Sequence, residues 1–169
     1  GLKFWCAELG VRVAIDVAPY GQILQTLLTP VAAASKVPRV QVVLLRVRDW
    51  LRELPADQAA SLEFVEGYVE NVARDFERAM RTHRAQSSGE TLLTFCPSAA
   101  EHPGDEEAVL ERIETSLAGR LSGLPGLTVV RARDHHAIYG VSGESIADHV
   151  REHLAHIPYQ PAYFHTLAT

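Results

Sequence analysis

The sequence predicts an α/β fold, a three-layer α/β/α sandwich with a mainly parallel sheet. Short apolar runs rich in β-branched residues alternate with longer runs in which apolar residues recur at steps of three and four. One short run, 39–47, is almost continuously apolar, which is typical of a strand that is covered on both faces. The 169 residues suit one domain with a single core, so we expect residues 1–169 to form a single domain.

The first part of the chain predicts two helices around one strand. Residues 2–9 predict a short helix that ends at Gly10, because glycine is favoured where helices terminate. Apolar and polar residues alternate over 11–17, which predicts a strand. Residues 21–28 predict the second helix, which a Thr-Pro pair closes.

The middle of the chain predicts two strands around one long helix. The strands are the apolar run 39–47 and the run 91–96. The helix covers roughly 57–84, and its apolar positions recur on one face. Those positions are Leu62, Val65, Val69, Val72, Phe76 and Met80.

The last part of the chain continues the alternation. An i, i+4 stripe predicts a helix that ends before Gly123, and 126–132 predict a fourth strand. The stripe consists of Val109, Ile113, Leu117 and Leu121. Residues 143–154 and 161–168 predict two closing helices. Because strands and helices alternate, we expect a parallel sheet with helices on both faces.

The composition argues against several classes of protein. A net charge of −5 and a pI near 5.9 disfavour nonspecific nucleic-acid binding, which needs a basic face. No apolar run approaches the ~20 residues that span a bilayer, so no membrane association is expected. No secretory signal is expected at the start, and we predict a cytoplasmic location. The two distant cysteines, Cys6 and Cys96, indicate neither a disulfide framework nor a zinc site.

Residues that follow the predicted strands are the candidates for function, because open parallel sheets bind ligands beyond the carboxyl ends of their strands. Asp49 is either the cap of a helix that follows or a functional carboxylate. Arg46 and Arg48 are expected to leave the core on the same side, where they are candidates for binding an anion or phosphopantetheine. Gly21 either eases a tight turn or directs its N–H group at an oxyanion.

Histidines near the C-terminus form a second set of candidates. His149, His153 and His156 follow one another at steps of four and three, which places them on roughly one helix face. No carboxylate completes a HExxH-type set, so no metal site is predicted. His156 precedes Ile-Pro-Tyr and is either a catalytic base or a structural residue. Cys96 is either a nucleophile or a buried thiol, and no serine stands in a Gly-x-Ser-x-Gly elbow.

Three blocks of the chain are distinctive when taken together: "LKFWCAELG…VAPYGQILQTLLTP", "VQVVLLRVRDWL" and "HLAHIPYQPAYFHTLAT". In order and spacing they resemble the N-terminal domain of FkbH-like proteins of polyketide and nonribosomal-peptide biosynthesis. The resemblance covers nearly the whole chain and implies a flavodoxin-like, SGNH-hydrolase-like fold. In that family a haloacid-dehalogenase-like domain follows and loads a glyceryl unit onto an acyl carrier protein, but its loading motif is not in this chain.

The resemblance also implies roles for single residues. Gly21 stands at the glycine block of SGNH hydrolases. Residues 46–49 stand at a Gly-x-Asn-Asp block, so Arg48 replaces the oxyanion asparagine while Asp49 is retained. His156 stands near the terminal histidine, and His153 stands where the hydrolases have aspartate.

The nucleophilic serine of such hydrolases lies on a central first strand, which the resemblance places before residue 1. An empty central position would leave buried backbone N–H and C=O groups unpaired, which is costly. Three arrangements avoid that cost. The strand comes from upstream, the strands 11–17 and 39–47 pair directly, or a partner chain supplies the strand.

Two functions follow from the resemblance. The first is a catalytically degenerate SGNH-like domain that positions an acyl or peptidyl carrier protein, or its acyl substrate, beside neighbouring synthase domains. Its contacts would be Gly21, Arg46, Arg48 and His153, with no cofactor and with the carrier's phosphopantetheine as a ligand. The second is an active acyltransferase, thioesterase or hydrolase that acts on a carrier-bound acyl group, with His156 as the base and Asp49 as a further catalytic candidate.

Overall fold

A computed structural model describes residues 2–19, 21–29, 39–59, 61–98, 104–140, 146–155 and 157–166. The structure is a mixed α/β fold with an open three-stranded parallel sheet, so the predicted α/β class is confirmed. The chain divides into two compact units. The larger comprises Tyr20–Ser98 and His102–Asp134, and the smaller comprises Gly1–Pro19, Ala99–Glu101 and His135–Thr169. The single domain expected over 1–169 stays a prediction.

Helices and strands alternate through most of the chain. The helices are α1 (Leu2–Glu8), α2 (Ile23–Leu28), α3 (Ala56–Ala59), α4 (Leu62–Gln86), α5 (Asp105–Leu121), α6 (His135–Tyr139), α7 (His149–Ala155) and α8 (Pro161–Thr166). The strands are β1 (Val40–Leu45), β2 (Glu90–Phe95) and β3 (Leu127–Val130). Two short 3-10 helices, Val47–Glu53 and Ala132–Asp134, follow β1 and β3. No helix among the described residues combines the length and the apolar content needed to cross a membrane.

The sheet has the strand order β1-β2-β3, and both neighbouring pairs are parallel. Val43 lies opposite Leu93, and Leu45 lies opposite Phe95. Because alternate residues of a strand point to opposite faces, these four side chains share one face of the sheet. All four are buried in one core with residues of α4 and α5, so this face carries the packing of the larger unit.

Helix α4 confirms the apolar stripe that the sequence predicts. Its buried positions are Val65, Val69, Ala73, Phe76, Ala79, Met80 and His83. Two predicted positions are not buried: Leu62 lies in the first turn and is exposed, and Val72 is only partly buried. The helix begins after Ser61, whose hydroxyl oxygen accepts a hydrogen bond from the Phe64 N–H group at 3.3 Å. Such a cap satisfies one of the backbone donors that a helix start leaves unpaired.

Helix α5 also buries the predicted stripe of Val109, Ile113, Leu117 and Leu121. Its first turn contains three acidic residues, which suits the positive end of the helix dipole. It lies between β2 and β3 along the chain and packs against α4 in the core of the larger unit. The strands predicted at 39–47, 91–96 and 126–132 are confirmed as β1, β2 and β3. β1 and β3 are shorter than predicted, and β2 begins and ends one residue earlier.

The strand predicted over 11–17 is wrong. Residues 11–19 have no regular secondary structure, and the apolar side chains of 11–17 are exposed, up to 87% for Val17. Alternation of apolar and polar residues predicts which face of a strand would be buried. It does not supply the neighbouring strand whose backbone groups must pair with it.

The smaller unit contains α1, α6, α7 and α8. Helix α1 ends as predicted at Gly10, which has φ 70°, while the Val11 N–H group donates to the Cys6 carbonyl oxygen at 2.8 Å. Of the closing helices predicted at 143–154 and 161–168, the structure describes α7 (His149–Ala155) and α8 (Pro161–Thr166), and residues 141–145 and 167–169 lie outside the described part of the chain. Tyr159 and Tyr163 are buried with ring centroids 4.7 Å apart.

Substitution of Leu93 by alanine tests the packed face of the sheet. Leu93 is 0% exposed, whereas Leu44 in the adjacent strand is 49% exposed. We expect Leu93→Ala to lower the free energy of unfolding by about 2–5 kcal/mol, because it leaves a cavity in the core. The matched control Leu44→Ala should cost less than about 1 kcal/mol, since its side chain is half in water. Equal losses in urea denaturation would contradict the assignment of the packed face.

Candidate functional site

A cleft of about 220 Å³ opens at the carboxyl edge of the sheet in the larger unit. Residues directly after the three strands line one side of it, among them Arg48, Cys96, Ser98 and Ala132. One face of α5 lines the other side, with Glu107, Glu111, Glu114 and Thr115. The cleft therefore lies where open parallel sheets bind ligands.

Arg46, the first residue after β1, is a buried cation that is 5% exposed. Its Nε group donates to Asp49 Oδ1 at 2.7 Å, and its Nη1 group donates to the Ser98 carbonyl oxygen at 3.3 Å. Arg52 also pairs with Asp49 Oδ1, at 3.0 Å. The guanidinium of Arg46 thus connects the chain after β1 to the chain after β2.

These contacts correct the interpretation of Asp49 as a helix cap. Asp49 lies inside the 3-10 helix Val47–Glu53, and Arg46 occupies the N-cap position without a side-chain cap bond. The carboxylate binds two arginines instead. A full positive charge three residues before it is a stronger partner than a neutral backbone N–H group.

Arg48 holds the acidic start of α5 at the mouth of the cleft. Its Nη1 lies 3.0 Å from Glu106 Oε1 and 3.2 Å from Glu107 Oε2. The same Glu107 oxygen accepts a hydrogen bond from the Ser98 hydroxyl at 2.7 Å. Arg48, Glu107 and Ser98 therefore form one hydrogen-bonded group, although the first and the last follow different strands.

Cys96 lines the cleft as a buried thiol. Burial raises the pKa of Cys96 to about 12, and the Asp49 carboxylate contributes to the rise. A thiol is nucleophilic only as the thiolate, so at neutral pH this group is inert. Of the two roles weighed for Cys96, the buried thiol is the one that its surroundings support.

Glu114 is a half-buried carboxyl in the lining of the cleft. Its Oε1 accepts a hydrogen bond from the Ala132 N–H group at 3.0 Å. Burial raises the pKa of Glu114 to about 7, the Ala132 hydrogen bond opposes the rise, and the nearby Glu111 and Glu107 add to it. The group therefore changes its charge within the physiological range, as residues of functional sites often do.

Sequence reasoning missed Glu114, although a signal for it exists. Leu110 and Leu117 are buried on α5, and Glu114 stands four residues after the first and three before the second. It therefore occupies the apolar stripe of the helix at a position where a hydrophobic residue is expected. A carboxyl at such a position is either buried at a cost or placed beside a polar cavity.

The remaining sequence candidates lie elsewhere. Gly21 has φ 74°, a left-handed backbone conformation that favours glycine, and it is not among the described residues that line the cleft. His153 is exposed on α7 in the smaller unit, and His156 lies outside the described residues. Within the described ranges, no group of three or more His, Cys, Asp or Glu side chains is arranged to hold a metal ion.

Comparison of the chain with models of protein families, with curated proteins and with solved structures found no match. The resemblance to FkbH-like proteins therefore stays a prediction, and the contacts of the cleft are the observations from which a function is inferred.

Substitution of Asp49 by asparagine tests whether its pairing with the buried Arg46 stabilises the fold. It removes the charged partner of the buried Arg46, so we expect a loss of about 2 kcal/mol in the free energy of unfolding. The control Asp75→Asn breaks an exposed pair with Arg78, which should cost at most about 0.5 kcal/mol. A loss for Asp49→Asn no larger than that of the control would show that the buried pair contributes nothing to stability.

The raised pKa of Glu114 makes stability depend on pH. Between its ordinary value of 4.5 and the folded-state pKa of about 7, the folded chain binds more protons at this group than the unfolded chain does. The free energy of unfolding therefore falls as pH rises through that window, and the contribution is constant above it. We expect Glu114→Gln to be more stable than the wild type at pH 8, by on the order of 2 kcal/mol, and to lose that advantage near pH 4.5.

The matched control is Glu66→Gln, which changes an exposed carboxyl that pairs with Arg112. Compared with the wild type at the same pH, this variant should gain no stability between pH 4.5 and pH 8. If Glu114→Gln behaves like this control in urea denaturation, Glu114 is not desolvated as described.

Proposed function

We propose that this chain is a non-hydrolytic positioning domain of a polyketide or nonribosomal-peptide assembly line, with a three-layer SGNH-like fold. Its cleft holds the acyl end of a carrier-bound thioester. The observation that carries this proposal is the engagement of Arg48 with Glu106 and Glu107. The resemblance to SGNH hydrolases puts the oxyanion asparagine at this position.

An oxyanion hole needs hydrogen-bond donors aimed at the place where negative charge develops. Here the guanidinium at the corresponding position is paired with two carboxylates. Those carboxylates would repel an oxyanion, and Asp49 is paired with Arg46 and Arg52. The thiol of Cys96 is protonated at neutral pH, since its pKa is about 12. These contacts support positioning rather than hydrolysis.

The size and the charge of the cleft indicate which part of the carrier arm it holds. A volume of about 220 Å³ is below the usual range of drug-sized pockets and suits a group of about ten non-hydrogen atoms. Three of the lining side chains are glutamates, which disfavour the phosphate of phosphopantetheine. The uncharged acyl thioester end fits this lining better. The carrier protein itself and the neighbouring synthase domains would then contact the surface around the mouth.

An active acyltransferase or hydrolase is the second candidate. One observation favours it: the hydroxyl of Ser98 donates to the Glu107 carboxylate at 2.7 Å, and this serine lines the cleft. His156, which the sequence suggests as the base, lies outside the described residues.

Incubation of the chain with acylated carrier proteins tests the proposal, with intact-protein mass spectrometry for acyl loss and calorimetry for binding. We expect neither acyl loss above the buffer control nor a covalent adduct, together with saturable binding. Thr115→Phe fills the cleft from an exposed helix position and should weaken binding at least tenfold. Ser116→Phe, the same change at the next position, lies outside the lining and should leave binding unchanged.

Acyl loss from the carrier, or an acyl adduct on the chain, would overturn the positioning role. Loss of that activity in Ser98→Ala or His156→Ala would then identify the catalytic group. Absence of binding, or binding that Thr115→Phe does not weaken, would show that the cleft does not hold the acyl end.

A further inference from the structure

Glu114 offers the cleft a hydrogen-bond donor as well as an acceptor. Its Oε1 already accepts the N–H group of Ala132, which directly follows β3 and Arg131. When the carboxyl is protonated, Oε1 remains the acceptor and the proton lies on Oε2 of a residue that lines the cleft. The backbone contact fixes the carboxyl in place, so the donor is positioned before a ligand arrives.

The charges around Glu114 come from every element that borders the cleft. Glu107 and Glu111 lie on the same helix and oppose ionisation of Glu114, while Arg131 favours it. Arg131 is itself paired with Asp134 at 2.8 Å. Arg48 and Arg133 complete the charged lining, and Cys96 is neutral between pH 6 and pH 8 because its pKa is about 12. Burial and the like charges outweigh the cations, which favours the neutral carboxyl.

We propose that Glu114 selects the ligand of the cleft by donating a hydrogen bond from its protonated carboxyl to an uncharged carbonyl oxygen. This inference rests on the proposed function, because it names the chemical class of the group that the cleft holds. An ester, amide or thioester carbonyl is accepted. A carboxylate ligand is repelled by Glu107 and Glu111, and an ammonium ligand requires the ionised form of Glu114.

The choice of a neutral donor has a consequence for binding. With a pKa of about 7, Glu114 is mostly protonated at pH 6 and mostly ionised at pH 8. If only the protonated form binds, the apparent affinity follows the protonated fraction and is about tenfold higher at pH 6 than at pH 8. Among the described residues that line the cleft there is no histidine to produce the same dependence.

Binding of S-acetyl-N-acetylcysteamine, a small thioester that carries no charge between pH 6 and pH 8, tests the inference. The dissociation constant is measured by calorimetry or ligand-observed NMR at both pH values, for the wild type and for three variants. We expect the wild type to bind about tenfold more tightly at pH 6. Glu114→Gln keeps a neutral donor and an acceptor for Ala132, so its affinity should be independent of pH and near the wild-type value at pH 6.

Glu114→Leu removes the donor while it retains a side chain of similar size. It should bind about tenfold more weakly than the wild type at pH 6 and show no pH dependence. If this variant fails to fold, the comparison between the wild type and Glu114→Gln still decides the question. Thr115→Phe serves as the blocked-cleft variant and should abolish binding at both pH values.

Two kinds of failure are distinguishable. In the first, Thr115→Phe blocks binding, but the wild-type affinity is independent of pH or higher at pH 8. That result overturns the role of Glu114 and leaves the positioning function intact. If the affinity of Glu114→Gln still depends on pH, the role of Glu114 is likewise overturned, because a different group must then be titrating. If the thioester does not bind, or if Thr115→Phe does not block its binding, both the inference and the proposed function are overturned.

Discussion

The cleft depends on one constraint: the carboxyl ends of β1 and β2 are held at a fixed separation beyond their last paired residues. The Cys96 N–H group donates to the Leu45 carbonyl oxygen at 2.7 Å, which carries the parallel ladder one step further. The side chain of Arg46 adds a second connection. It binds Asp49 in the segment after β1 and the Ser98 carbonyl oxygen in the segment after β2. A buried guanidinium must keep such partners, because leaving its charge unpaired is expensive. The two chain segments that border the cleft therefore begin from fixed points.

Helix α5 carries carboxyl groups in two different surroundings, and the difference gives them different chemistry. Glu106 and Glu107 lie in the first turn, where Arg48 and the positive end of the helix dipole face them. Glu114 lies two turns further along, where burial dominates and the neutral N–H group of Ala132 donates to its carboxyl. Residues of one type on one helix thus provide an ion pair at the mouth of the cleft and a group with a pKa of about 7 in its lining.

The sequence predicts those elements well whose pattern arises from mutual burial. The stripes of α4 and α5 are visible because these helices pack against each other in the core. The apolar run of β1 predicts the strand but not its coverage, since one of its faces is exposed, with Val42 at 51% and Leu44 at 49%. The strand expected at 11–17 fails because strand formation needs a partner that alternation alone does not reveal. Asp49 fails as a cap because the prediction considers backbone donors only, whereas Arg46 competes for the same carboxylate. Glu114 escapes notice because one polar residue within an apolar stripe resembles ordinary variation until a cavity is found beside it.

The net charge of the lining depends on the state of Glu114. Two arginines, Arg48 and Arg133, and three glutamates, Glu107, Glu111 and Glu114, are the charged side chains among the described residues that border the cleft. With Glu114 protonated, two positive and two negative charges balance. Ionisation adds a negative charge in a partly buried place, which is what the raised pKa expresses. A phosphate or an ammonium ion would have to displace an existing ion pair or change this balance. A neutral carbonyl group does neither, so the surroundings of Glu114 and the ion pairs at the mouth of the cleft favour the same class of ligand.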